Sequence, residues 1–560
     1  MNKELAKIFY SIADYLRMDN MAFRPYAYDK AGMNLEALEE DVKNIYKRGG
    51  LKELEKIPGV GKNIALKIEE YIKTGKVATF ERLKKKTPVN LGELTSVEGV
   101  GVKKAKVLYE KLKIKNLKDL EKTAKAHKIA GLEGFGEKTE KNILQGIAFL
   151  KKNKGRFLLG EIMPVVENII EELSSLKEVE KISSAGSVRR MKETIGDVDI
   201  LIVSRNPKKV MDFFVSLKGA VKVWNKGITK SSIRMKKGFD VDLRVVPAKS
   251  YGSALQYFTG SKEHNIATRK IAISKKLKLN EYGLFKGSKM IAGKNEKDIY
   301  KALGLDFIPP ELRENRGELT NKLPNLIGYN DIKGDLHLHS NWDGGSNSIK
   351  EIALKGKGLG YKYIGIADHT KFLRIEHGLD EKQLVKQRKE IDKLNLGIKI
   401  LQGCEANILK DGSIDIKDEA LAKLDFVIAG IHSSMKMDKE KMTERIIKAM
   451  RNPHVDIISH PTGRVLNYRD EYQVDFDRIL KQAKKTNTIL EINASPYRLD
   501  LKDSNIKKAK ETGVKMIINT DAHHLDQMDF MKYGIAQARR GWAEKKDIIN
   551  TSSDLLKNFT

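Results

Sequence analysis

Two short apolar segments near the middle of the chain carry three carboxylates. Asp197 and Asp199 lie in Gly-Asp-Val-Asp-Ile-Leu-Ile (196–202), and Asp242 lies in Phe-Asp-Val-Asp-Leu-Arg-Val (239–245). Alternation along a strand puts Asp197 and Asp199 on one face, where Asp242 of a neighbouring strand can join them. Two Mg²⁺ ions about 4 Å apart suit such oxygen ligands and clamp an in-line displacement at phosphorus. The alternative is a set of solvent-facing carboxylates at strand ends.

The residues around these carboxylates favour the catalytic interpretation. Upstream, Ser-Ala-Gly-Ser-Val-Arg-Arg (184–190) is a small-residue loop whose backbone N–H groups can approach a phosphate, with two arginines beside it. Downstream, Tyr-Phe-Thr-Gly-Ser (257–261) and Asn265 follow the third carboxylate at a distance that lets a helix close over a nucleotide. The pattern predicts a triphosphate-binding site.

The order of these motifs resembles the palm and thumb of family X DNA polymerases. The resemblance implies that the three carboxylates bind two Mg²⁺ or Mn²⁺ ions and that Asp242 helps to deprotonate the primer 3′-hydroxyl. The residues that it implies for the dNTP are Ser187 and Arg190 at the triphosphate, Tyr257 and Phe258 beneath the sugar, where they discriminate against ribose, and Asn265 at the base edge, with Gly186 and Gly260 also in the dNTP site.

Composition favours a nucleic-acid partner. The chain of 560 residues has 105 Lys and Arg against 75 Asp and Glu, and residues 1–308 carry a net +24 against +6 for residues 309–560. Such a field attracts polyphosphate, although Lys-rich surfaces also serve solubility. No apolar run approaches a membrane span, and the N-terminus shows no signal-peptide pattern, so we expect a cytoplasmic location and no membrane partner. The single cysteine, Cys404, excludes an intramolecular disulfide.

The first 150 residues have the three- and four-residue apolar spacing of helices, interrupted by Gly-x-Gly hairpins. Each hairpin resembles a helix-hairpin-helix element, whose exposed helix N-terminus binds DNA phosphate without reading sequence. The glycines expected to contact the DNA backbone are Gly59 and Gly61 in the first hairpin and Gly99 and Gly101 in the second. A third hairpin at 134–136, flanked by two glutamates, is expected to be structural.

Lys67 follows the first hairpin by six residues. It matches the position of the lysine that attacks the abasic-site aldehyde in family X enzymes with deoxyribose-phosphate lyase activity. Schiff-base chemistry requires an amine with a lowered pKa. The alternative is a solvated or DNA-contacting lysine.

From Lys333 onward, metal-ligand residue types recur at the ends of apolar segments that alternate with Lys/Glu-rich helical stretches. This alternation predicts a parallel β/α barrel, whose functional groups gather at the C-terminal ends of its strands. The clustered ligand types predict a metal centre. The residues are His337, His339, His369, Glu405, His432, His460, Asp521 and His523.

This half resembles a PHP domain, a metal-dependent phosphoesterase module. The resemblance implies up to three Zn²⁺ or Mn²⁺ ions held by those eight residues, with Glu405 bridging. The family commonly reads His-Ser-x-Trp-Ser-Asp-Gly, whereas this chain places Asp343 one residue early and Gly344 at the usual ligand position. Asp343 is therefore expected to reach a metal only through a shifted loop. His377 and His524 are expected to be peripheral.

We therefore expect a multidomain α+β and α/β protein: a helical helix-hairpin-helix region, a nucleotidyltransferase-type palm with a small thumb, and a distorted PHP barrel. The predicted domains are residues 1–82 (DNA-binding, lyase-like), 83–152 (fingers-like), 153–258 (palm), 259–308 (thumb), 309–332 (linker) and 333–560 (PHP).

The expected function is gap filling in DNA repair with dNTP, combined with 3′–5′ exonuclease activity, with abasic-site cleavage and 3′-phosphatase activity left open. The expected partners are gapped or nicked DNA and other repair proteins, and a monomer is expected. Two alternatives stand: a template-independent nucleotidyltransferase fused to a phosphoesterase, and a DNA-binding scaffold with an inactive PHP site.

Overall fold

The computed structural model describes residues 1–19, 21, 24–38, 40–57, 59–97, 100–152, 155–373 and 376–554. The chain forms two compact units, one of residues 1–154 with 467–470 and the other of residues 155–466 with 471–560. Among the described residues, no helix is long and apolar enough to cross a membrane.

The described part of the first unit is helical. Leu5, Phe9 and Ile12 lie on one face of the first helix and are fully buried in the core of this unit. Its helices are α1 (Asn2–Met18), α2 (Arg24–Ala37), α3 (Val42–Leu54), α4 (Lys62–Thr74), α5 (Ala78–Lys86), α6 (Leu91–Thr95), α7 (Val102–Leu112), α8 (Leu117–Lys125) and α9 (Gly136–Lys152).

The second unit begins with a five-stranded mixed sheet. Its strand order is β2-β4-β7-β6-β5, in which β4 and β7 run parallel and the other neighbours antiparallel. The elements of this region are β1 (Phe157–Leu158), α10 (Leu159–Ser174), β2 (Val179–Ser184), α11 (Gly186–Arg189), β3 (Thr194–Ile195), β4 (Asp197–Ser204), α12 (Pro207–Val215), β5 (Ala220–Lys226), β6 (Lys230–Met235) and β7 (Asp240–Val245).

Alternation explains how this sheet presents its polar face. Val198, Ile200, Val241 and Leu243 are fully buried against the helices, so the aspartates between them face the opposite side. A smaller antiparallel sheet, in the order β10-β9-β8, follows. The elements of this second region are α13 (Tyr251–Thr259), α14 (Lys262–Ser274), β8 (Lys278–Asn280), β9 (Gly283–Lys286), β10 (Lys289–Ala292) and α15 (Glu296–Ala302).

The rest of the second unit is a closed ring of short parallel strands. One sheet has the order β11-β12-β13 and the other β14-β15-β16-β17-β18. Bridges from Leu338, in β11, to Ala522, after β18, and from His369, after β12, to Glu405, in β14, join the two sheets. Both faces of the strands are covered, which is why they are continuous apolar runs. The predicted distorted barrel is confirmed.

The barrel elements are β11 (Gly334–Leu338), α16 (Ile349–Gly358), β12 (Tyr363–Ile366), α17 (Glu381–Ile391), β13 (Lys399–Gln402), β14 (Glu405–Asn407), α18 (Asp418–Leu421), β15 (Ile428–Gly430), α19 (Lys439–Met450), β16 (Ile457–Ile458), α20 (Phe476–Thr486), β17 (Ile489–Asn493), α21 (Asp503–Thr512), β18 (Met516–Asn519) and α22 (Met531–Arg540). The segment 309–332 is packed, with Leu312, Arg313 and Ile327 buried. The limits of the six predicted domains stay predictions.

Candidate active sites

The structure brings the three carboxylates of the mixed sheet together. In the parallel pairing of β4 and β7, Asp199 lies beside Asp242 and Asp197 beside Asp240. Burial, followed by the charges of Asp197 and Asp242, raises the pKa of Asp199 to about 6. Crowding of this kind is relieved when divalent cations share the carboxylates.

Two residues that the sequence did not single out hold Asp242. The Ser232 hydroxyl donates to Asp242 Oδ1 at 2.6 Å, and Lys230 Nζ lies 2.7 Å from Oδ2. Both lie on β6, the antiparallel neighbour of β7. The signal that could have identified them is the pairing of the two strands, which the spacing of the sequence does not reveal.

The small-residue loop, which follows β2, approaches the carboxylates from the side opposite β6. Gly186 has a φ of +60°, and a Cβ there would lie 2.6 Å from Asp199 Oδ2, so only glycine fits. Ser187 follows it in α11, which begins directly after β2. Arg190 donates through Nε to Glu314 at 3.1 Å and through a short bond to the Thr259 carbonyl.

The helix that follows β7 places the other predicted nucleotide contacts. Tyr257 and Phe258 pack edge to face at 5.1 Å, and the Arg244 guanidinium lies 4.5 Å from the Phe258 ring centre. Gly260 lies against Arg190, with 3.1 Å from its built Cβ to a guanidinium nitrogen. Asn265 donates to the Tyr257 carbonyl at 2.6 Å. These contacts link Gly260 to Arg190 and Asn265 to Tyr257, and the contacts of all these residues with a nucleotide stay predictions.

In the first unit, two of the predicted phosphate sites begin helices. Gly61 is the N-cap of α4 and Gly101 the N-cap of α7, and neither has a side-chain cap or an atom within 4 Å of a built Cβ. Their first-turn N–H groups are therefore open to a phosphate. Gly59 adopts a φ of +73°. Gly99 lies outside the described residues.

Lys67 is a half-buried residue of α4, with Nζ 3.1 Å from the Asn63 carbonyl and 5.9 Å from the centre of the Tyr28 ring. Partial desolvation lowers the pKa of this amine. Glu70 opposes that effect, and Arg24 and Arg82 add to it.

The metal-ligand residues of the barrel gather around Glu405. Its Oε1 lies 3.3 Å from His432 Nε2 and 2.9 Å from His460 Nε2. Its Oε2 lies 3.4 Å from His337 Nε2 and 2.9 Å from His369 Nδ1. Burial alone would raise the pKa of Glu405, but His432, His337 and His369 hold it well below its usual range.

A second group adjoins the first. Asp521 Oδ1 lies 3.7 Å from His337 Nε2 and 3.4 Å from His339 Nε2. The ring of His523 stacks on that of His339 at 4.0 Å, and ligand atoms of His339, His369 and His523 lie within 4.8 Å of one another. All eight predicted ligands therefore lie in one connected cluster.

Unpaired buried atoms show that this cluster fits metal ions. Six nitrogen and oxygen atoms of these residues are buried and form no hydrogen bond of acceptable geometry among the described residues, although some lie close to one another: His337 Nε2, His339 Nε2, His369 Nδ1, Glu405 Oε2, His432 Nε2 and His460 Nδ1. A buried polar atom without a partner is costly, and a bound cation removes that cost. Imidazole and carboxylate together suit Zn²⁺ or Mn²⁺.

Residues outside the ligand set orient the histidines. Glu491 accepts from His337 Nδ1 at 2.6 Å, and Asn407 lies 2.8 Å from His432 Nδ1. Such partners fix the ring nitrogen that faces a metal. Neither residue was predicted to have a role, although Glu491 lies in β17 and Asn407 in β14, two strands of the barrel that carries the ligands.

Asp343 lies within this region through a hydrogen bond to His339. Its Oδ2 lies 2.8 Å from His339 Nδ1 and accepts from the His369 backbone N–H at 2.8 Å. At Gly344, a built Cβ would lie 2.3 Å from Glu376 Oε2, so another carboxylate fills that space. A direct contact between Asp343 and a metal stays a prediction.

Comparison with known proteins relates both halves to one architecture. The chain is 38% identical to the DNA polymerase/3′-5′ exonuclease PolX of Bacillus subtilis (strain 168), over 98% of this chain and 97% of the relative. This protein belongs to the family X DNA polymerases that carry a PHP domain.

Four family models match successive parts of this chain. They are a helix-hairpin-helix domain at residues 1–77, a SAM-like helix-hairpin-helix tandem at 91–148, a DNA polymerase beta thumb at 254–314 and a PHP domain at 335–495. The PHP half also resembles smaller proteins. A probable phosphatase of Caldanaerobacter subterraneus is 31% identical over 40% of this chain and 89% of its own length.

Proposed function

We propose that this protein is a DNA-directed DNA polymerase of family X that fills short gaps in DNA and trims primer ends with a PHP 3′–5′ exonuclease. The observation that carries the polymerase half is the side-by-side placement of Asp199 and Asp242 next to the Gly186 loop. Two divalent ions bound there would neutralise charge on the attacking and leaving oxygens. The preferred ion is Mg²⁺, with Mn²⁺ as an alternative.

The residues of the mixed sheet have separate tasks in nucleotide addition. Asp197, Asp199 and Asp242 would hold the metals, and Asp242 would accept the proton of the primer 3′-hydroxyl. Ser187 and Arg190 bind the triphosphate, while Tyr257, Phe258 and Gly260 line the sugar and Asn265 the base. The open N-termini at Gly61 and Gly101 bind the phosphates of gapped or nicked DNA without reading sequence.

The barrel supplies a separate hydrolytic site. Up to three Zn²⁺ or Mn²⁺ ions held by the Glu405 cluster would supply a hydroxide near neutral pH and neutralise charge on the phosphoester. Glu405 bridges two of the ligand groups, and Glu491 and Asn407 hold the ligand rings in place. The substrate is a phosphodiester at the 3′ end of the primer. Abasic-site and 3′-phosphate cleavage belong to the same chemistry.

A paired substitution tests both halves on one substrate. A labelled one-nucleotide gap is incubated with dNTP and Mg²⁺ or Mn²⁺, using the unchanged protein, Asp199→Ala and His339→Ala. We expect the first substitution to abolish extension and spare degradation, and the second to do the reverse. Loss of both activities from either substitution would contradict two independent sites. Added ribonucleotides and template-free controls distinguish the template-independent alternative.

A deoxyribose-phosphate lyase is a second candidate function, and the lowered pKa of Lys67 favours it. A neutral amine can attack the abasic-site aldehyde to form a Schiff base. Borohydride should trap a covalent DNA adduct with the unchanged protein and with Lys62→Ala, and should trap none with Lys67→Ala. Equal trapping by Lys67→Ala would assign the chemistry to another amine.

A further inference from the structure

The hairpin formed by β5 and β6 carries an exposed tryptophan on an edge strand. Trp224 is 49% exposed, although β5 belongs to the sheet that carries the three carboxylates. Its indole N–H donates to Asp240 at 2.8 Å, which fixes the ring on the same sheet face as Asp242. A large exposed aromatic side chain held in one orientation suggests a binding surface.

The charge of this hairpin suits a nucleic-acid strand. Residues 220–238 contain six basic and no acidic residues. Lys222 Nζ lies 3.8 Å and the Arg234 guanidinium carbon 5.3 Å from the centre of the Trp224 ring. Cations combined with an aromatic ring are the two components of surfaces that follow a single strand.

The order of strands determines which strand of the substrate reaches this surface. The Gly186 loop lies on the β2 and β4 side of the carboxylates, whereas β6 and β5 lie beyond Asp242 on the other side. In an in-line displacement the attacking oxygen approaches opposite the leaving group. A triphosphate bound at the Gly186 loop therefore requires the primer 3′-oxygen to arrive across β7 and β6.

We infer that Trp224, with Lys222 and Arg234, binds the primer strand next to its 3′ end, with the ring packed on a deoxyribose. This rests on the proposed polymerase site, because the direction of approach follows from the triphosphate position. Two strand spacings of about 4.8 Å separate β5 from β7, so the contacted nucleotide is the second or third from the 3′ end.

Steady-state kinetics of the full-length protein test the contact. Trp224→Ala should raise the KM for primer–template about tenfold, as expected for loss of one aromatic contact, with the KM for dNTP unchanged. Trp224→Phe should retain most of the affinity. Val223→Ala is the matched control. Val223 is 44% exposed on the same strand, but it pairs with the buried Ile233 and so lies on the opposite face of the sheet from Trp224. An unchanged KM for DNA in Trp224→Ala would overturn the inference.

A cycle with modified DNA identifies the strand. A propanediol spacer, which lacks the sugar ring, replaces the second or third nucleotide of the primer or its partner in the template. We expect a primer spacer to raise the KM for DNA of the unchanged protein but not to raise that of Trp224→Ala any further. A template spacer should leave the difference in KM for DNA between the two proteins unchanged. Additive losses with every primer spacer would overturn the inference. Absence of extension by the unchanged protein would instead contradict the proposed polymerase function.

Discussion

At the scale of single residues, Asp242, the carboxylate proposed to be catalytic, is hydrogen-bonded by a hydroxyl of the neighbouring strand. Ser232 donates to its Oδ1 while Lys230 contacts Oδ2, so each oxygen has a partner before any metal binds. A hydrogen bond to a charged group contributes more than one between neutral groups, and loss of a partner lets the carboxylate rotate. The geometry of the metal site therefore extends beyond the three aspartates.

We expect Ser232→Ala to lower kcat for nucleotide addition about tenfold and to shift the Mg²⁺ requirement to higher concentration. The reason is the loss of a hydrogen bond to the charged Asp242, which contributes about 1.5 kcal/mol. Single-turnover extension across a Mg²⁺ series measures both effects. Ser231→Ala is the control, since its hydroxyl bonds within the hairpin to the Gly227 carbonyl. Identical Mg²⁺ curves for Ser232→Ala and the unchanged protein would show that Ser232 does not orient Asp242.

At the scale of elements, β15 ends on a glycine because the metal cluster leaves no room for a side chain. A Cβ at Gly430 would lie 2.5 Å from Ser459 Oγ, 2.8 Å from Glu405 Oε1 and 2.9 Å from the His432 ring. Gly430→Ala should displace these ligands, lowering metal affinity about tenfold and exonuclease activity with it, while extension persists. Metal content after dialysis measures the change. Gly358→Ala, at an open position in α16, should bind metal normally.

The same elements show what the sequence could predict. Residues at strand ends, such as His369 and Glu405, could be assigned because parallel strands bring their C-terminal ends to one place. Ser232 and Trp224 were not assigned, since their importance follows from the pairing of β5, β6 and β7. The packing of residues 309–332 was also missed, because proline and charge content indicates a linker without revealing the buried partners of Arg313.

At the scale of the whole molecule, a charge network joins α22 of the barrel to the Gly186 loop within the second unit. Arg540, at the end of α22, donates to Glu314 at 3.1 Å and to the Arg190 carbonyl at 2.9 Å. Glu314 also accepts from Arg190. Burial would raise the pKa of Glu314, but Arg540, Lys192 and Arg190 outweigh it and lower that pKa. Arg540 thus shares a carboxylate with the residue predicted to bind triphosphate.

We expect Arg540→Met to raise the KM for dNTP several-fold without changing exonuclease kcat. Without Arg540, the charge of Glu314 is balanced mainly by Arg190, so the proposed triphosphate site becomes more negative. Asp503, the other partner of Arg540, retains Arg316 at 3.0 Å. Adding Glu314→Gln to Arg540→Met should restore the KM for dNTP, since the carboxylate charge is gone. Arg539 lies on the same helix as Arg540 but contacts Glu311, so Arg539→Met should leave that KM unchanged. Thermal unfolding of each variant separates this effect from loss of the fold. If Glu314→Gln does not restore the KM for dNTP in the double variant, Arg540 acts through packing alone.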